Sequence, residues 1–186
     1  MEYVNPIKDV EKIKAMKEYL ANHSKRDLLL FVLGINTGIS ISDLLHLTIK
    51  DVVTNGQIHD FLVIRDEKCG EEKQYYLNDS VKSVLEDYLK ALEFEETDYL
   101  FKSKKNNLPI TRQQAYRIIN QAAKEVGIEG RIGTHTLRKT FGYHAYRKGV
   151  AISILMHILN HTSASETLKY LGIENKKMPI MVDVNL

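Results

Sequence analysis

The sequence has little cysteine, proline and glycine, and these absences exclude several classes of protein. Its 186 residues contain one cysteine, three prolines, ten glycines and no tryptophan. The single cysteine, Cys69, excludes an intramolecular disulfide and a cysteine-rich zinc site, and it fits a reducing compartment. So few prolines and glycines, beside 44% hydrophobic residues, exclude collagen-like, low-complexity and wholly disordered chains. We therefore expect one compact core with at most a small appendage.

Long apolar runs are also absent. The N-terminal segment has no hydrophobic core of signal-peptide length, and no apolar stretch approaches the roughly 20 residues that a membrane-spanning helix needs. We therefore expect a cytoplasmic protein with no membrane partner.

A strong excess of charge of one sign is missing too, because the formal net charge is only +2. The charges are nevertheless segregated along the chain. Residues 66–99 hold eleven acidic and four basic residues, whereas residues 101–140 hold nine basic and two acidic ones. The basic segment would suit a polyanion such as a nucleic acid. Solvated helix faces that cluster their charges would give the same pattern, and charge alone does not separate the two interpretations.

Apolar periodicity predicts a mainly α-helical domain. Apolar residues recur at steps of three and four in several segments, and polar caps or glycines stand at many of their ends. Helices are predicted from just after Pro6 through Leu20, across the all-apolar stretch 28–35, and over 41–47, 81–92, 111–126, 152–159 and 163–171. Another is predicted to begin at a Thr134 cap and to end at Gly149. Alternating strands at 61–65 and 74–77 predict a hairpin, so the fold class is mainly α with a small antiparallel β-sheet (α+β).

Four residues near the C-terminus have side chains suited to phosphate chemistry. His135 and Arg138 are three residues apart near a predicted helix start, where backbone N–H groups favour an anion. His161 precedes Tyr170 by nine residues, across a turn rich in serine and threonine. Taken singly, each has an ordinary explanation, because a helix-start histidine is usually a cap and one of ten tyrosines is usually a packing residue.

The combination of these motifs resembles the C-terminal signature of the tyrosine recombinase (phage integrase) family. The segment HTLRKTFGYHAYRKGV at 135–150 carries its His-x-x-Arg, and ILNHTSASETLKYLGI at 158–173 carries its Leu-Asn-His with a tyrosine nine residues later. The earlier segment TGISISDLL at 37–45 is similar to the family box Thr-Gly-Leu-Arg-Ile-Ser-Glu-Leu. The resemblance runs from about Asp9 to Ile173 and implies the tyrosine recombinase catalytic-domain fold.

The resemblance also implies a site-specific DNA recombinase that acts without a cofactor. Tyr170 would attack a DNA phosphodiester and leave a 3′-phosphotyrosine and a free 5′-hydroxyl, which keeps the bond energy for rejoining. Arg138 would bind the phosphate as a fork donor, and His161 would donate to a nonbridging oxygen. His135 would assist proton transfer from the phenol, whose ordinary pKa is near ~10. The metal-dependent alternative lacks the ligand spacings of a metal site, so no metal is expected.

The family places a further catalytic lysine on the loop of a β-hairpin, where it protonates the leaving 5′-oxygen. Lys68 matches this position, since Lys68, Cys69 and Gly70 correspond to the family's Lys-Thr-Gly. Lys73 is the alternative. Without the resemblance, a solvated hairpin lysine would be the ordinary interpretation.

One departure from the family pattern lies at Ser40, where the family has its first arginine. Ile39, Ile41, Ser42 and Asp43 match around it, so a shift in register does not explain the difference. A serine hydroxyl is a short neutral group, whereas a guanidinium is a fixed cationic fork. The loss of such a charge from a phosphate clamp costs on the order of 10³ to 10⁵ in rate. We therefore predict that the chain binds DNA like a recombinase but cleaves it slowly or not at all.

The resemblance further predicts the partners and the domain limits. The partner is double-stranded DNA, and the candidate DNA-binding residues are Lys102, Lys104, Lys105, Arg112, Arg117, Arg131 and Lys139. The catalytic domain spans residues 1–173, and the tail 174–186 is expected to dock on a neighbouring protomer, in a homo-tetramer on DNA and a monomer free in solution. Because the first predicted helix follows Met1 closely, the chain resembles the short members that integrate or invert mobile elements.

Two other functions stay open from the sequence alone. A catalytically inactive DNA-binding regulator with the recombinase fold would not depend on Tyr170. A helical protein-interaction module would have no DNA role, and DNA affinity that weakens steeply with added salt would exclude it.

Overall fold

The computed structural model describes residues 4–65 and 70–174 of the chain. Its helices are α1 (Val10–His23), α2 (Lys25–Thr37), α3 (Ile41–His46), α4 (Asp79–Lys90), α5 (Arg112–Glu125), α6 (Thr136–Arg147), α7 (Ile152–Leu159) and α8 (Ala164–Tyr170). The strands are β1 (Val53–Thr54), β2 (Gln57–Ile58), β3 (Phe61–Arg65) and β4 (Glu72–Tyr76), and a single 3-10 turn covers Ile49–Asp51. β1 pairs with β2 and β3 with β4, both antiparallel, which confirms the mainly α fold class with a small antiparallel sheet component.

Within the two described ranges, no helix combines the length and the apolar character needed to cross a membrane.

The β1–β2 hairpin is missing from the sequence prediction. Its turn is Asn55-Gly56, and these two residues have positive φ values of 50° and 76°. Positive φ at both central residues defines the type I′ turn, which Asn-Gly favours. The dipeptide is therefore a usable signal, but each flanking strand is only two residues long and offers no alternation to detect.

The first helix starts later than predicted. α1 begins at Val10 instead of directly after Pro6, because Asp9 caps the helix by accepting a hydrogen bond from the Glu11 N–H at 2.9 Å. Residues 4–8, which we call the N-terminal strap, precede the cap and lie along α6.

The start of α6 also differs from the prediction. Its N-cap residue is His135, and the expected Thr134 cap is wrong. The Thr136 hydroxyl accepts from the Gly133 N–H at 2.9 Å and so closes the turn that leads into the helix. His135 therefore lies at the N-terminus of α6, directly before its first turn.

α2 crosses the core, as its uninterrupted apolar sequence predicts. Five consecutive residues are at most 1% exposed: Leu29, Leu30, Phe31, Val32 and Leu33. The C-terminal half of α2 packs closely on α6, since a Cβ on Gly34 would lie 2.7 Å from Leu137 Cδ1. Gly38, which has a φ of 72°, is similarly close, and a Cβ there would lie 2.4 Å from Phe141 Cδ1.

A smaller apolar cluster holds α7 and α8 on α6. Leu171, directly after α8, is fully buried in it, and Phe141 and Tyr170 pack at its edge. A Cβ on Gly142 would lie 2.5 Å from Leu171 Cδ2, so α6 allows this close approach only because it has a glycine there. The cluster fixes the C-terminal end of α8 against the middle and the C-terminal half of α6.

Candidate active site

The residues of the two C-terminal motifs lie within electrostatic reach of one guanidinium. Arg138 is half-buried in the first turn of α6. Its charge acts on His135 at the mouth of the same helix, on His161 just after α7, and on Tyr170, the last residue of α8. The structure therefore brings together four groups from three separate elements, with the cation among them.

His161 and Tyr170 contact each other directly. Their ring centroids are 4.9 Å apart in an edge-to-face arrangement. His161 Nδ1 forms a hydrogen bond with Thr167 Oγ1 at 2.9 Å, and the Thr167 hydroxyl also donates to the Ser163 carbonyl at 3.3 Å. Thr167 is fully buried, so it fixes the orientation of the imidazole. Sequence reasoning missed Thr167, because a threonine within a short helix has no signature of its own.

Arg138 is held in place at one end of its guanidinium. Nη2 donates to the Ile158 carbonyl at 2.7 Å, in the last turn of α7. Among residues 4–65 and 70–174, Arg138 Nε is the one buried side-chain nitrogen or oxygen without a hydrogen-bond partner. A buried cationic donor left in this state suits an anion, because an unsatisfied charged group carries a desolvation cost that a ligand removes.

Both histidines of the site are shifted towards the neutral form. Although His135 is exposed overall, partial burial of its ring lowers its pKa below the usual 6.5. The cations around it lower that pKa further: Arg112, Lys139 and Arg138. Burial also lowers the pKa of His161, an effect that the Glu166 carboxylate opposes and Arg138 reinforces. At pH 7 the imidazoles are therefore neutral in the free protein, so His135 is able to accept a proton.

Tyr170 is shifted in the opposite direction. Burial raises the pKa of its phenol above the usual 10, although the charge of Arg138 lowers it in part. The phenol is therefore protonated at pH 7 and needs a base before it becomes a strong nucleophile.

Ser40 is engaged within its own helix. Its hydroxyl caps α3 by accepting from the Asp43 N–H at 3.1 Å, and it donates to Asp43 Oδ2 at 2.6 Å. Ser40 follows Gly38 by two residues, and Gly38 packs on Phe141 of α6. Ser40 therefore follows the contact between Gly38 and α6 by two residues, and its hydroxyl serves the α3 cap.

The predicted catalytic lysine, Lys68, lies outside the described residues and stays a prediction. The alternative, Lys73, is on β4 and donates to the His157 carbonyl at 2.7 Å and to Asn160 Oδ1. Both acceptors belong to the C-terminal end of α7, directly before His161. The β3–β4 hairpin thus contacts the segment that carries one of the site histidines.

Most of the residues predicted to bind DNA are accessible. Five are exposed: Lys104, Lys105, Arg112, Arg117 and Arg131. Lys102 is half-buried and forms an ion pair with Asp98 at 3.0 Å. Arg112 also reaches Thr134 Oγ1 at 3.5 Å, next to His135, so it links the basic segment to the site.

Lys139 has a different place from the predicted one. It is only 6% exposed, and its Nζ donates to the Val4 carbonyl at 3.0 Å. The same Nζ lies 4.7 Å from the centroid of the Tyr170 ring. An ammonium buried in this position does not reach a DNA backbone, because the protein covers it.

Comparisons with known proteins match this chain to one family. The model of the phage integrase family matches residues 7–177. The probable integrase/recombinase YoeC of Bacillus subtilis (strain 168) is 45% identical over 174 residues, which cover 94% of this chain and 92% of that protein. The tyrosine recombinase XerA of Pyrococcus furiosus is 26% identical over 175 residues, which cover 93% of this chain and 59% of that protein. This chain thus spans most of the length of YoeC but little more than half the length of XerA.

Solved structures share the fold. The crystal structure of XerA recombinase superposes with a TM-score of 0.75 at 22% identity, over 94% of this chain and 61% of that chain. The structure of XerH recombinase bound to palindromic difH substrate superposes with a TM-score of 0.72 at 21% identity, over 92% and 50% respectively. These likenesses confirm the fold that the sequence motifs imply. With the family match across nearly the whole sequence, they lead to one conclusion: the chain belongs to the phage integrase, or tyrosine recombinase, family.

Proposed function

We propose that this chain is the catalytic domain of a site-specific tyrosine recombinase, which cuts and rejoins double-stranded DNA in the cytoplasm. The observation that carries the proposal is that the His161 and Tyr170 rings are in contact, with centroids 4.9 Å apart, while Arg138 is bonded to the Ile158 carbonyl, three residues before His161. The unpartnered Arg138 Nε adds support, because it suits a phosphate oxygen. One relative is named a probable integrase/recombinase and another a transposase from transposon Tn554, and integration, excision or inversion of a mobile element is the proposed role here.

The proposed reaction exchanges one phosphate ester for another. Tyr170 Oη bonds to the phosphorus as the bond from phosphorus to the 5′-oxygen breaks, and the phenol proton passes to His135. The departing 5′-oxygen takes a proton from a lysine, Lys68 or Lys73, and leaves as a hydroxyl. Reversal by a 5′-hydroxyl restores the diester and frees Tyr170. The exchange balances without a cofactor, because no bond energy is lost to water.

The charged groups support transition-state stabilisation in this reaction. Arg138 is held at Nη2 by Ile158, so its remaining donors are presented without loss of side-chain freedom when a phosphate binds. His161 is oriented by Thr167 through Nδ1, and it is proposed to take up a proton when the anionic phosphate binds, so that its Nε2–H donates to a nonbridging oxygen. The exposed cations at 104–131 are proposed to hold the DNA backbone on either side of the site.

The same geometry leaves a second candidate, an inactive DNA-binding regulator. The observation that favours it is Ser40, whose hydroxyl is committed to the α3 cap and supplies no cation to the phosphate. In this case the chain binds DNA, and Tyr170 contributes nothing beyond packing.

Formation of a covalent adduct tests the proposal. The protein is mixed with a pool of nicked duplexes of randomised sequence, from which a short 5′-hydroxyl fragment is lost after cleavage. We expect a protein–DNA band that survives denaturing electrophoresis, weak for the unaltered chain, and absent from Tyr170→Phe. Tyr146→Phe is the matched control, because Tyr146 packs in the same cluster but precedes α7, and it should keep the band.

The two functions give opposite results in that assay. Adduct from the unaltered chain or from a Ser40→Arg variant, dependent on Tyr170, supports the recombinase. Salt-sensitive DNA binding with no adduct from either protein contradicts the recombinase and supports the regulator. An adduct that persists in Tyr170→Phe contradicts the assignment of the nucleophile.

The assembly is also part of the proposal. We infer a catalytic domain over residues 1–173 and a tail, 174–186, that docks on a neighbouring protomer to form a homo-tetramer on DNA. Most of this tail lies outside the described residues, and the support comes from membership of the family. Light scattering should give a monomer without DNA and a tetramer with duplexes recovered from the adduct pool. A tetramer in the absence of DNA would contradict this.

A further inference from the structure

Lys139 is a buried cation beneath the proposed nucleophile. It follows Arg138 directly in α6 but is only 6% exposed, and its Nζ lies 4.7 Å from the centroid of the Tyr170 ring. Burying an ammonium is costly unless other groups replace its water. Burial accordingly lowers the pKa of Lys139 below its usual 10.5. We therefore asked which contact of the buried Lys139 ammonium offsets its loss of hydration.

The N-terminal strap holds the ammonium from the other side. Lys139 Nζ donates to the Val4 carbonyl at 3.0 Å. Val4 itself is fixed, because a Cβ on Gly133 would lie only 2.8 Å from Val4 Cγ1, and the Asn5 N–H donates to the Arg131 carbonyl at 3.0 Å. The position of the ammonium is therefore set by backbone 135 residues away in sequence.

The strap also contacts the chain on the far side of Tyr170. Lys8 Nζ donates to the Gly172 carbonyl at 3.4 Å, two residues after the tyrosine. The Ile7 N–H donates to Thr140 Oγ1 at 2.9 Å, and Thr140 directly follows Lys139 in α6. The strap thus bonds both to the helix that carries Arg138 and to the chain just after α8, which ends at Tyr170.

We infer that Lys139 is a positioning residue for Tyr170, in which the ammonium, held by the Val4 carbonyl, seats the phenol ring for attack on phosphate. A cation over a ring face attracts the electrons of the ring. That attraction grows as the phenol loses its proton, so the contact favours the reacting state over the resting state. The inference rests on the proposed function, since it takes Tyr170 as the nucleophile.

Several other charged groups face the same ring and must be separated from Lys139 in any test. Arg138 and His161 act on Tyr170, and His135 lies close enough to Lys139 to have its own pKa lowered by it. Lys139→Gln removes the charge while keeping an N–H donor for Val4, and Lys139→Arg keeps both. Lys148→Gln is the matched control, because Lys148 is exposed at the other end of α6.

The first measurement needs neither DNA nor activity. In protein with ring-labelled tyrosines, the carbon NMR signal that disappears in Tyr170→Phe belongs to Tyr170. We expect this signal to move in Lys139→Gln and to stay close to its original position in Lys139→Arg and Lys148→Gln at pH 7. An unmoved signal in folded Lys139→Gln overturns the inference. If that variant does not fold, Lys139→Met takes its place under the same criterion.

The second measurement is the pH profile of adduct formation, in a Ser40→Arg background. Lys139→Gln should be slower by on the order of tenfold, the effect of one buried cation–π contact. With Lys139 present, the rate should fall on the alkaline side as the ammonium loses its proton. Lys139→Arg should move that fall to higher pH, and Lys139→Gln should lack the part of the fall that depends on Lys139. Equal profiles for all three proteins overturn the inference. If the Tyr170 signal moves in Lys139→Gln but none of the proteins forms an adduct, the proposed function is contradicted while the contact between Lys139 and Tyr170 is supported.

Discussion

Replacing Ser40 with arginine is expected to raise the rate of covalent adduct formation by on the order of 10³-fold or more. The resemblance predicts the family's first arginine at this position, two residues after the Gly38 that packs on Phe141 of α6. A second guanidinium there would hold the phosphate from the opposite side and balance the charge that builds up during attack. The measurement is the rate of adduct formation on a duplex recovered from the randomised pool, for the unaltered chain and for Ser40→Arg.

The loss of the α3 cap must be separated from the gain of charge. Ser40 caps that helix, and removing a serine cap costs about 1 kcal/mol of unfolding free energy. Ser40→Ala is the matched control, because it loses the cap and adds no cation. It should unfold at lower denaturant concentration, like Ser40→Arg, but should show no gain in rate. An unaltered chain that already forms adduct as fast as Ser40→Arg would contradict the account of the site.

Much of the fold follows from local sequence. The helices are encoded by apolar spacing and by caps such as Asn78 for α4 and Thr111 for α5, which act within one turn. The errors are local as well. α1 begins after its Asp9 cap instead of after Pro6. α6 begins after His135 instead of after Thr134, because the turn that leads into it is closed between Gly133 and Thr136.

In the candidate site, contacts between residues close in sequence are predictable, whereas contacts between distant residues are not. The spacing of His161 and Tyr170 brings their rings into contact because only one turn and one short helix separate them. The bond from Arg138 to Ile158 joins two helices, and the bond from Lys139 to Val4 spans nearly the whole chain. Contacts of this kind depend on how the helices pack, so no local sequence motif predicts them. The predicted surface role of Lys139 misses its burial for that reason.

The second large effect is expected at Arg138. In a Ser40→Arg background, Arg138→Gln should lower the rate of adduct formation by on the order of 10³ to 10⁵-fold, because the phosphate loses a preorganised cation. Arg138→Lys keeps a positive charge but lacks the planar fork, so it should recover only a small part of the rate. Both variants lose the Arg138 bond to Ile158, and thermal unfolding must show that each remains folded.

A second readout follows the charge of Arg138 without any reaction. Burial is the main cause of the lowered pKa of His135 and of His161, and the charge of Arg138 adds to it, so in Arg138→Gln both pKa values should rise part of the way towards 6.5, whereas in Arg138→Lys they should change less. Proton NMR of the histidine rings across the range from pH 5 to 8 measures the shift, roughly the range in which imidazoles titrate. If both pKa values rise but the rate is unchanged, Arg138 is near the histidines without contacting the phosphate, and the proposed clamp is wrong. If the rate falls and neither pKa moves, the guanidinium does not lie among these groups in solution, and the geometry of the site must be revised.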